Sequence, residues 1–139
     1  MRAVVQRVSG AAVSVRGETV ARIGPGMLVL LGVGRDDGPE QADRLADKVG
    51  GLRIFEDADG RMNEPLGERE VLCVSQFTLY GDTARGNRPS FVEAARSEVA
   101  EPLYERFCDR LGAAHGAFGD RMAVSLVNDG PVTLLVEVP

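Results

Sequence analysis

VLCVSQFTLY, at residues 71–80, begins as an apolar run and becomes polar without losing the character of a strand. Its first four residues are typical of a strand that is buried on both faces. Ser75, Gln76 and Thr78 then place three hydrogen-bonding side chains in its continuation. Polar groups there need partners or a function, because burying them unpaired is costly. Three in four residues, followed by the glycine-containing charged loop at 81–90, favour a site at the strand end over ordinary capping of the backbone.

The composition is that of one ordinary globular domain. The chain has 139 residues, of which 44% are hydrophobic and 27% charged, and we assign residues 1–139 to a single domain. No apolar run is long enough to cross a bilayer, and the first ten residues are too short and polar for a signal peptide. We therefore expect a cytoplasmic protein that does not contact a membrane.

Charge and metal-ligand content exclude several classes of function. A net charge of -5 argues against a protein that wraps a long nucleic acid, although a small contact, for example through Arg85 or Arg88, stays open. Cys73 and Cys108 fall in apolar patterns and indicate reduced core residues. With His115 as the only histidine, in a loop of small residues, neither a zinc site nor a nucleophile–histidine pair is expected.

Periodicity predicts an α/β domain with more strand than helix. The expected strands are 2–8, a hairpin of 13–15 and 19–23, a central strand 27–33, a short strand 52–55, the strand that begins at 71, and two final strands at 122–127 and 132–138. One helix should begin at Pro39 and end before Gly50 and Gly51. A second should lie within 97–111, with Ser97 as a candidate cap; Pro102 requires a late start near Ala100 or a kink.

The stretch GVGRDDG, at 32–38, superficially suggests a dinucleotide-binding loop. Its glycines at 32, 34 and 38 are spaced one residue too far apart for that fingerprint. Asp36 and Asp37 would also repel a pyrophosphate. We interpret it as a tight turn between a strand and a helix.

A second polar stretch, NDGPVT at Asn128–Thr133, lies between the two last apolar runs. The Gly130–Pro131 bond can be cis at a cost of about 0.5 to 1 kcal/mol, and a cis bond would direct both carbonyls to one side. A trans proline that opens the last strand is the commoner arrangement. The residues alone therefore indicate a polar strand end and a rigid turn.

SQFTL at 75–79 together with NDGPVT at 128–133 resembles the two signature motifs of the D-aminoacyl-tRNA deacylases. The resemblance covers nearly the whole chain and includes VVQRVSGAAVSVRGE, LLGVGRDD, RIFEDADGRMN, GDTARGNRPSF and FGDRM. It implies a single compact α/β domain with a strand-rich, barrel-like sheet and two main helices, assembled as a homodimer. It also implies hydrolysis of the ester between a D-amino acid, or glycine mischarged on tRNA-Ala, and the terminal adenosine of tRNA.

The resemblance assigns roles to nine residues. The catalytic ones are Phe77 and Thr78, through their amides, and the substrate-binding ones are Ser75, Gln76, Gly130, Pro131, Arg7, Phe118 and Met122. Gly130 and Pro131 would reach into the pocket of the partner subunit and hold the substrate's α-amino group, oriented by Arg7. The implied partner is the aminoacyl-tRNA acceptor end, with no DNA, cofactor or metal.

Alternatives remain at this point. The chain could be a non-catalytic module that binds tRNA ends as a dimer, or a related deacylase for L-alanine mischarged on tRNA, which a trans Gly130–Pro131 bond would favour. The Thr78 hydroxyl could be the nucleophile, although no evident base activates it. The segment Glu64–Glu70 is shorter than the family pattern, AHG precedes Phe118 where Thr-Gly is more usual, and Pro102 is unexpected.

Overall fold

The longest pairing in the fold joins the two ends of the chain. A computed structural model describes residues 1–139, in which β1 (Arg2–Val15) pairs antiparallel along most of its length with β8 (Ala123–Glu137). On its other side, β1 pairs first with β3 (Gly26–Gly32) and then with β2 (Glu18–Ile23). The register with β8 shifts near Val8, and this irregularity lets one long strand bend and serve two neighbours. The four separate strands predicted at 2–8, 13–15, 122–127 and 132–138 are thus two continuous ones.

The centre of the sheet is a parallel pair. β3 lies beside β6 (Glu70–Ser75), and β7 (Ala114–His115) follows β6, also in parallel. A parallel pair needs a long crossover. It consists here of α1 (Pro39–Gly50) and the hairpin of β4 (Phe55–Glu56) and β5 (Met62–Glu64). The six-stranded order is β2-β1-β3-β6-β7, with β8 joined to β1.

Helices α1 and α2 (Ser97–Leu111) cover one face of the sheet. The main core of 23 buried residues lies between them and the strands, and includes Leu45 of α1, Phe107 of α2 and Val29 of β3. A second cluster of seven buried residues fills the opposite face, where the curled sheet closes on itself. The predicted strand-rich α/β domain with a barrel-like sheet and two main helices is confirmed.

Three local expectations are corrected. The helix α2 begins at Ser97 with Arg96 as its cap residue, so Ser97 is not the cap and the late start near Ala100 is wrong; Pro102 lies inside the helix. The continuation of β6 is a 3-10 turn (Phe77–Tyr80) rather than strand. The short strand expected at 52–55 is found at Phe55–Glu56.

Two other expectations, the bounds of α1 and the burial of the cysteines, agree with the structure. Pro39 is the first residue of α1 and Gly51 follows its end. Cys73 and Cys108 are free thiols in the core, where burial raises the pKa of Cys73 well above its usual value. Neither helix has the length and apolar composition needed to span a membrane.

Candidate active site

The site begins where β6 ends and the chain turns. The Gln76 amide donates to the Leu31 carbonyl at 2.7 Å, and the 3-10 turn follows directly. This turn packs on the end of β3 at Gly32, where an added Cβ would lie 3.0 Å from the Leu79 Cβ. The amides of Phe77 and Thr78 are the first two of the turn and therefore have no acceptor within it. The turn thus presents two adjacent N–H donors at the strand end.

Arg2 supports the far end of the same turn. Its Nη1 donates to the Leu79 carbonyl at 2.9 Å, and its guanidinium lies over the Tyr80 ring, 4.4 Å from the centroid. Burial, followed by the nearby Asp37 carboxylate, raises the pKa of Tyr80 to about 12, so this phenol is neutral at physiological pH. Arg2 is a supporting residue that sequence reasoning missed, since a single arginine in the first strand gives no signal of this role.

A cavity of about 660 Å³ opens beside the turn. Five of the nine predicted site residues line it: Ser75, Gln76, Phe77, Phe118 and Met122. Phe77 packs edge to face with Phe91, with ring centroids 5.0 Å apart. Most of the other lining residues are apolar, and the charged ones are Arg96 and Asp120. The cavity is therefore suited to a flat, largely apolar group with few polar contacts. Arg85 and Arg88 are exposed and do not line it.

Tyr104 of α2 packs behind Phe118, which lines this cavity. Its hydroxyl donates to the Cys73 carbonyl at 2.7 Å, and its ring lies 5.7 Å from that of Phe118. Burial raises the pKa of Tyr104, so it acts as a neutral hydrogen-bond donor. The sequence gave no indication of the contact between Tyr104 and Phe118.

The Thr78 side chain has no base beside it. Thr78 is exposed, and its Oγ1 forms a hydrogen bond with the Nε2 amide of Gln76. His115, the only histidine, contacts Asp109 at 4.0 Å and the Tyr104 ring. An amide cannot remove the hydroxyl proton, so this contact orients Thr78 rather than activating it.

The second motif lies elsewhere on the protomer. Val8 pairs with Asn128 and Gln6 pairs with Thr133, so residues 129–132 bulge out of β8 opposite Arg7. The Gly130–Pro131 bond is cis, and both residues are exposed.

Contacts on both sides hold this bulge. The Asn128 Oδ1 accepts from the Val132 amide at 3.2 Å, and its Nδ2 donates to the Thr133 Oγ1 at 2.9 Å. The buried Arg7 donates through Nε to the Asp129 carbonyl at 3.1 Å and through Nη1 to the Ile54 carbonyl at 2.8 Å. Arg7 therefore connects the bulge to the β4 side of the molecule.

Within one protomer the two motifs do not share a cavity. Gly130, Pro131 and Arg7 are absent from the lining of the 660 Å³ cavity. Arg7 and Asp129 instead line a smaller cavity of about 240 Å³ beside Phe55. One protomer therefore does not bring Gly130 and Pro131 to the cavity beside Phe77.

Comparisons with known proteins identify the family of this chain. The model of the family described as D-Tyr-tRNA(Tyr) deacylase matches residues 4–137. The D-aminoacyl-tRNA deacylase of Symbiobacterium thermophilum is 58% identical over 144 residues, which cover 99% of this chain and 95% of that protein. That of Myxococcus xanthus is 53% identical over 146 residues, covering 100% and 95%.

The chain belongs to the D-Tyr-tRNA(Tyr) deacylase family. Among solved structures, one described as c-Myc DNA Unwinding Element Binding Protein has the same fold, with a TM-score of 0.94, 40% identity, and coverage of 100% of this chain and 99% of that one. A probable eukaryotic D-amino acid tRNA deacylase matches with a TM-score of 0.77 at 22% identity, covering 99% and 98%. The fold of the deacylase family is therefore that of this chain.

Replacing Arg7 by Met should destabilise the protein, because the Asp129 and Ile54 carbonyls would lose their buried donor. We expect the free energy of unfolding to fall by about 1 to 3 kcal/mol. Urea denaturation followed by circular dichroism measures this change. Arg53→Met is the matched control: Arg53 also donates to a carbonyl, that of Asn63, but on the surface, and its loss should cost no more than about 0.5 kcal/mol. Equal effects of the two substitutions would contradict the anchoring role of Arg7.

Proposed function

We propose that this chain hydrolyses the ester bond of D-aminoacyl-tRNA, and of glycyl-tRNA mischarged on tRNA-Ala, by means of main-chain donors. The observation that carries the proposal is the pair of Phe77 and Thr78 amides at the start of the 3-10 turn, beside an apolar cavity. The names of the relatives support the same reaction class, a hydrolase acting on ester bonds.

The reaction needs no strong nucleophile. An aminoacyl ester is already reactive, so the protein has to hold the carbonyl and a water in the right geometry. Each main-chain donor aimed at the developing oxyanion is worth about 2.7 to 4 kcal/mol of transition-state stabilisation. The ribose 2′-hydroxyl next to the ester positions or activates the water. The substrate thus performs a function that would otherwise require a side-chain base beside the ester. Ser75 and Gln76 support the reacting ester at the end of β6.

The terminal adenosine fits the apolar end of the cavity. Phe118 and Met122 line it, and Tyr104 packs behind Phe118. A nucleobase stacks on an aromatic ring without requiring a particular sequence, as recognition of a common tRNA end demands. The net charge of -5 suits a protein that holds only this end rather than a DNA duplex.

Chiral selection comes from the second motif of a partner subunit. In the proposed homodimer, the Gly130 and Pro131 carbonyls of one protomer hold the α-amino group of the substrate in the other protomer's cavity. An L side chain would then collide with the Gly-Pro wall, whereas a D side chain points to solvent. Steric exclusion therefore rejects L-amino acids strongly but gives little selectivity among D-amino acids.

The exposed apolar surface of β8 supports a dimer. Val127 and Leu135 are 64% and 61% exposed, and β8 pairs with β1 alone, which leaves its other edge open. A long unpaired edge with apolar side chains is suited to contact with another chain. The exposed position of Gly130 and Pro131 on this same strand allows them to enter a neighbouring cavity.

The activity can be tested directly with charged tRNA. We expect the purified protein to release D-tyrosine from D-tyrosyl-tRNA and to leave L-tyrosyl-tRNA intact, measured as loss of the charged species over time. Glycyl-tRNA-Ala should also be cleaved. Hydrolysis of L-alanyl-tRNA alone would indicate the related deacylase, and tRNA binding without any cleavage would indicate the non-catalytic module.

The role of the main chain can be isolated at Phe77. Phe77→Pro removes both the ring and the N–H, whereas Phe77→Ala removes the ring alone; proline is tolerated at the first position of a helical turn. We expect kcat for D-tyrosyl-tRNA to be roughly 100- to 1000-fold lower in Phe77→Pro than in Phe77→Ala. Thr78→Ala should keep appreciable activity. Its complete inactivity, with an unchanged fold, would identify the Thr78 hydroxyl as the nucleophile instead.

A mixing experiment tests whether the site is shared between subunits. Gly130→Ala should be inactive, because Gly130 has a φ of +124° and an added Cβ would lie 2.9 Å from the Arg7 Nη2. A mixed dimer of Gly130→Ala and Phe77→Pro has one intact site, so random reassociation of equal amounts should restore roughly a quarter of wild-type activity. Two differently tagged chains, co-expressed and assayed for D-tyrosyl-tRNA cleavage, provide the measurement. No recovery in isolated mixed dimers would rule out a site built from both protomers.

A further inference from the structure

A second cavity, of about 440 Å³, adjoins the first. Met122 lines both, so the two cavities share one wall. The remaining lining comes from the turn between β1 and β2 and from the start of β8: Ser14, Arg16, Gly17, Arg121 and Ala123. Its charged residues are two arginines, and it contains no carboxylate.

The two arginines line the same cavity without an acidic partner. Ser14 pairs with Ala123 at the end of the β1–β8 ladder, so Arg16 and Arg121 both lie just beyond this end, where they line the same cavity. Neither side chain has a hydrogen bond or a carboxylate within 4.0 Å, although Glu18 and Asp120 are close in sequence. Two positive charges in one cavity without a carboxylate repel each other, and a bound anion would offset this repulsion.

The backbone of Arg16 is a second, independent indication. Arg16 has a φ of +51° and is the only residue other than glycine with a positive φ, while Gly17 follows at +81°. A tight turn with two positive φ angles favours Asn or Asp followed by Gly. An arginine in this conformation costs stability, and such outliers concentrate at functional positions.

We propose that Arg16 and Arg121 form a phosphate subsite for the RNA backbone that precedes the terminal adenosine. The proposal rests on the proposed function, which sets that adenosine against Met122. The chain leaving the adenosine past Met122 enters the second cavity, where two guanidinium groups can each bind a phosphodiester through paired N–H donors. This subsite adds affinity for tRNA but has no part in the cleavage of the ester.

The test compares two substrates in the double variant Arg16→Gln/Arg121→Gln. D-tyrosyl-tRNA carries the backbone phosphates, and D-tyrosyl-adenosine has none. We expect KM for the tRNA to rise roughly tenfold with kcat unchanged, and both constants for the adenosine ester to stay at wild-type values. The slope of log Kd against log salt for uncharged tRNA should become shallower by roughly 0.7 for each phosphate that the variant no longer neutralises.

The control is Arg44→Gln/Arg61→Gln, which removes the same charge from two exposed arginines that line neither cavity. It should leave the salt slope and the ratio of the two substrates unchanged. Arg16→Asn separates binding from folding, because asparagine suits a positive φ: we expect an equal or higher Tm together with weaker tRNA binding.

The experiment distinguishes failure of the phosphate subsite from failure of the proposed reaction. Unchanged affinity for uncharged tRNA in the double variant, or an equal loss in the Arg44 and Arg61 control, would overturn the subsite whether or not the protein turns over substrate. Arginine-dependent tRNA binding by a protein that cleaves no D-aminoacyl ester would retain the subsite and refute the proposed reaction.

Discussion

The close approach of the 3-10 turn to the end of β3 is the constraint on which the candidate site depends. Gly32 leaves room for this approach, since an added Cβ would meet Leu79 at 3.0 Å and the Tyr80 ring at 3.2 Å. A larger residue at this position would force the turn to shift away from β3. In the observed 3-10 turn, the consecutive amides of Phe77 and Thr78 point the same way. The contact of Arg2 with the Leu79 carbonyl holds the turn there from the other side.

Elements determined by local sequence were predictable. The buried part of β6, the central strand β3 and the start of α1 at Pro39 each follow from an apolar run or a stop signal within a few residues. The 3-10 turn was not predictable from local sequence, because it packs against Gly32, which is far away in sequence. The continuity of β8 was also missed: NDGP is a good turn signal locally, but pairing with β1 on both sides of it keeps one strand and turns the signal into a bulge.

The residues of the candidate site were likewise only partly predictable from the sequence. The polar end of β6 was visible in the sequence, and the resemblance supplied Phe118 and Met122, which do line the cavity. Neither route identified the supports behind it, the Tyr104 hydroxyl and the Arg2 guanidinium, since each acts through a main-chain carbonyl that no side-chain pattern reveals. The sequence also could not show that Gly130 and Pro131 lie outside the cavity of their own protomer. Their position follows from the geometry of the bulge, and it is the reason why the proposed function takes the second motif from another copy of the chain.

The distribution of ion pairs explains how an acidic protein can accept an anionic substrate. Arg106 and Arg110 of α2 pair with Asp43 and Asp47 of α1, and these contacts hold the pKa of both carboxyl groups below its usual value. The positive charges of these two arginines are therefore neutralised. Arg16, Arg96 and Arg121 have no such partner and line the two adjoining cavities. The net charge of -5 thus coexists with three unpaired arginines around the two cavities to which the proposed function assigns the RNA end, and an acidic protein is poorly suited to longer contacts with nucleic acid. For the proposed function, in which main-chain donors hold the ester and only the acceptor end of the tRNA is bound, these few arginines are sufficient.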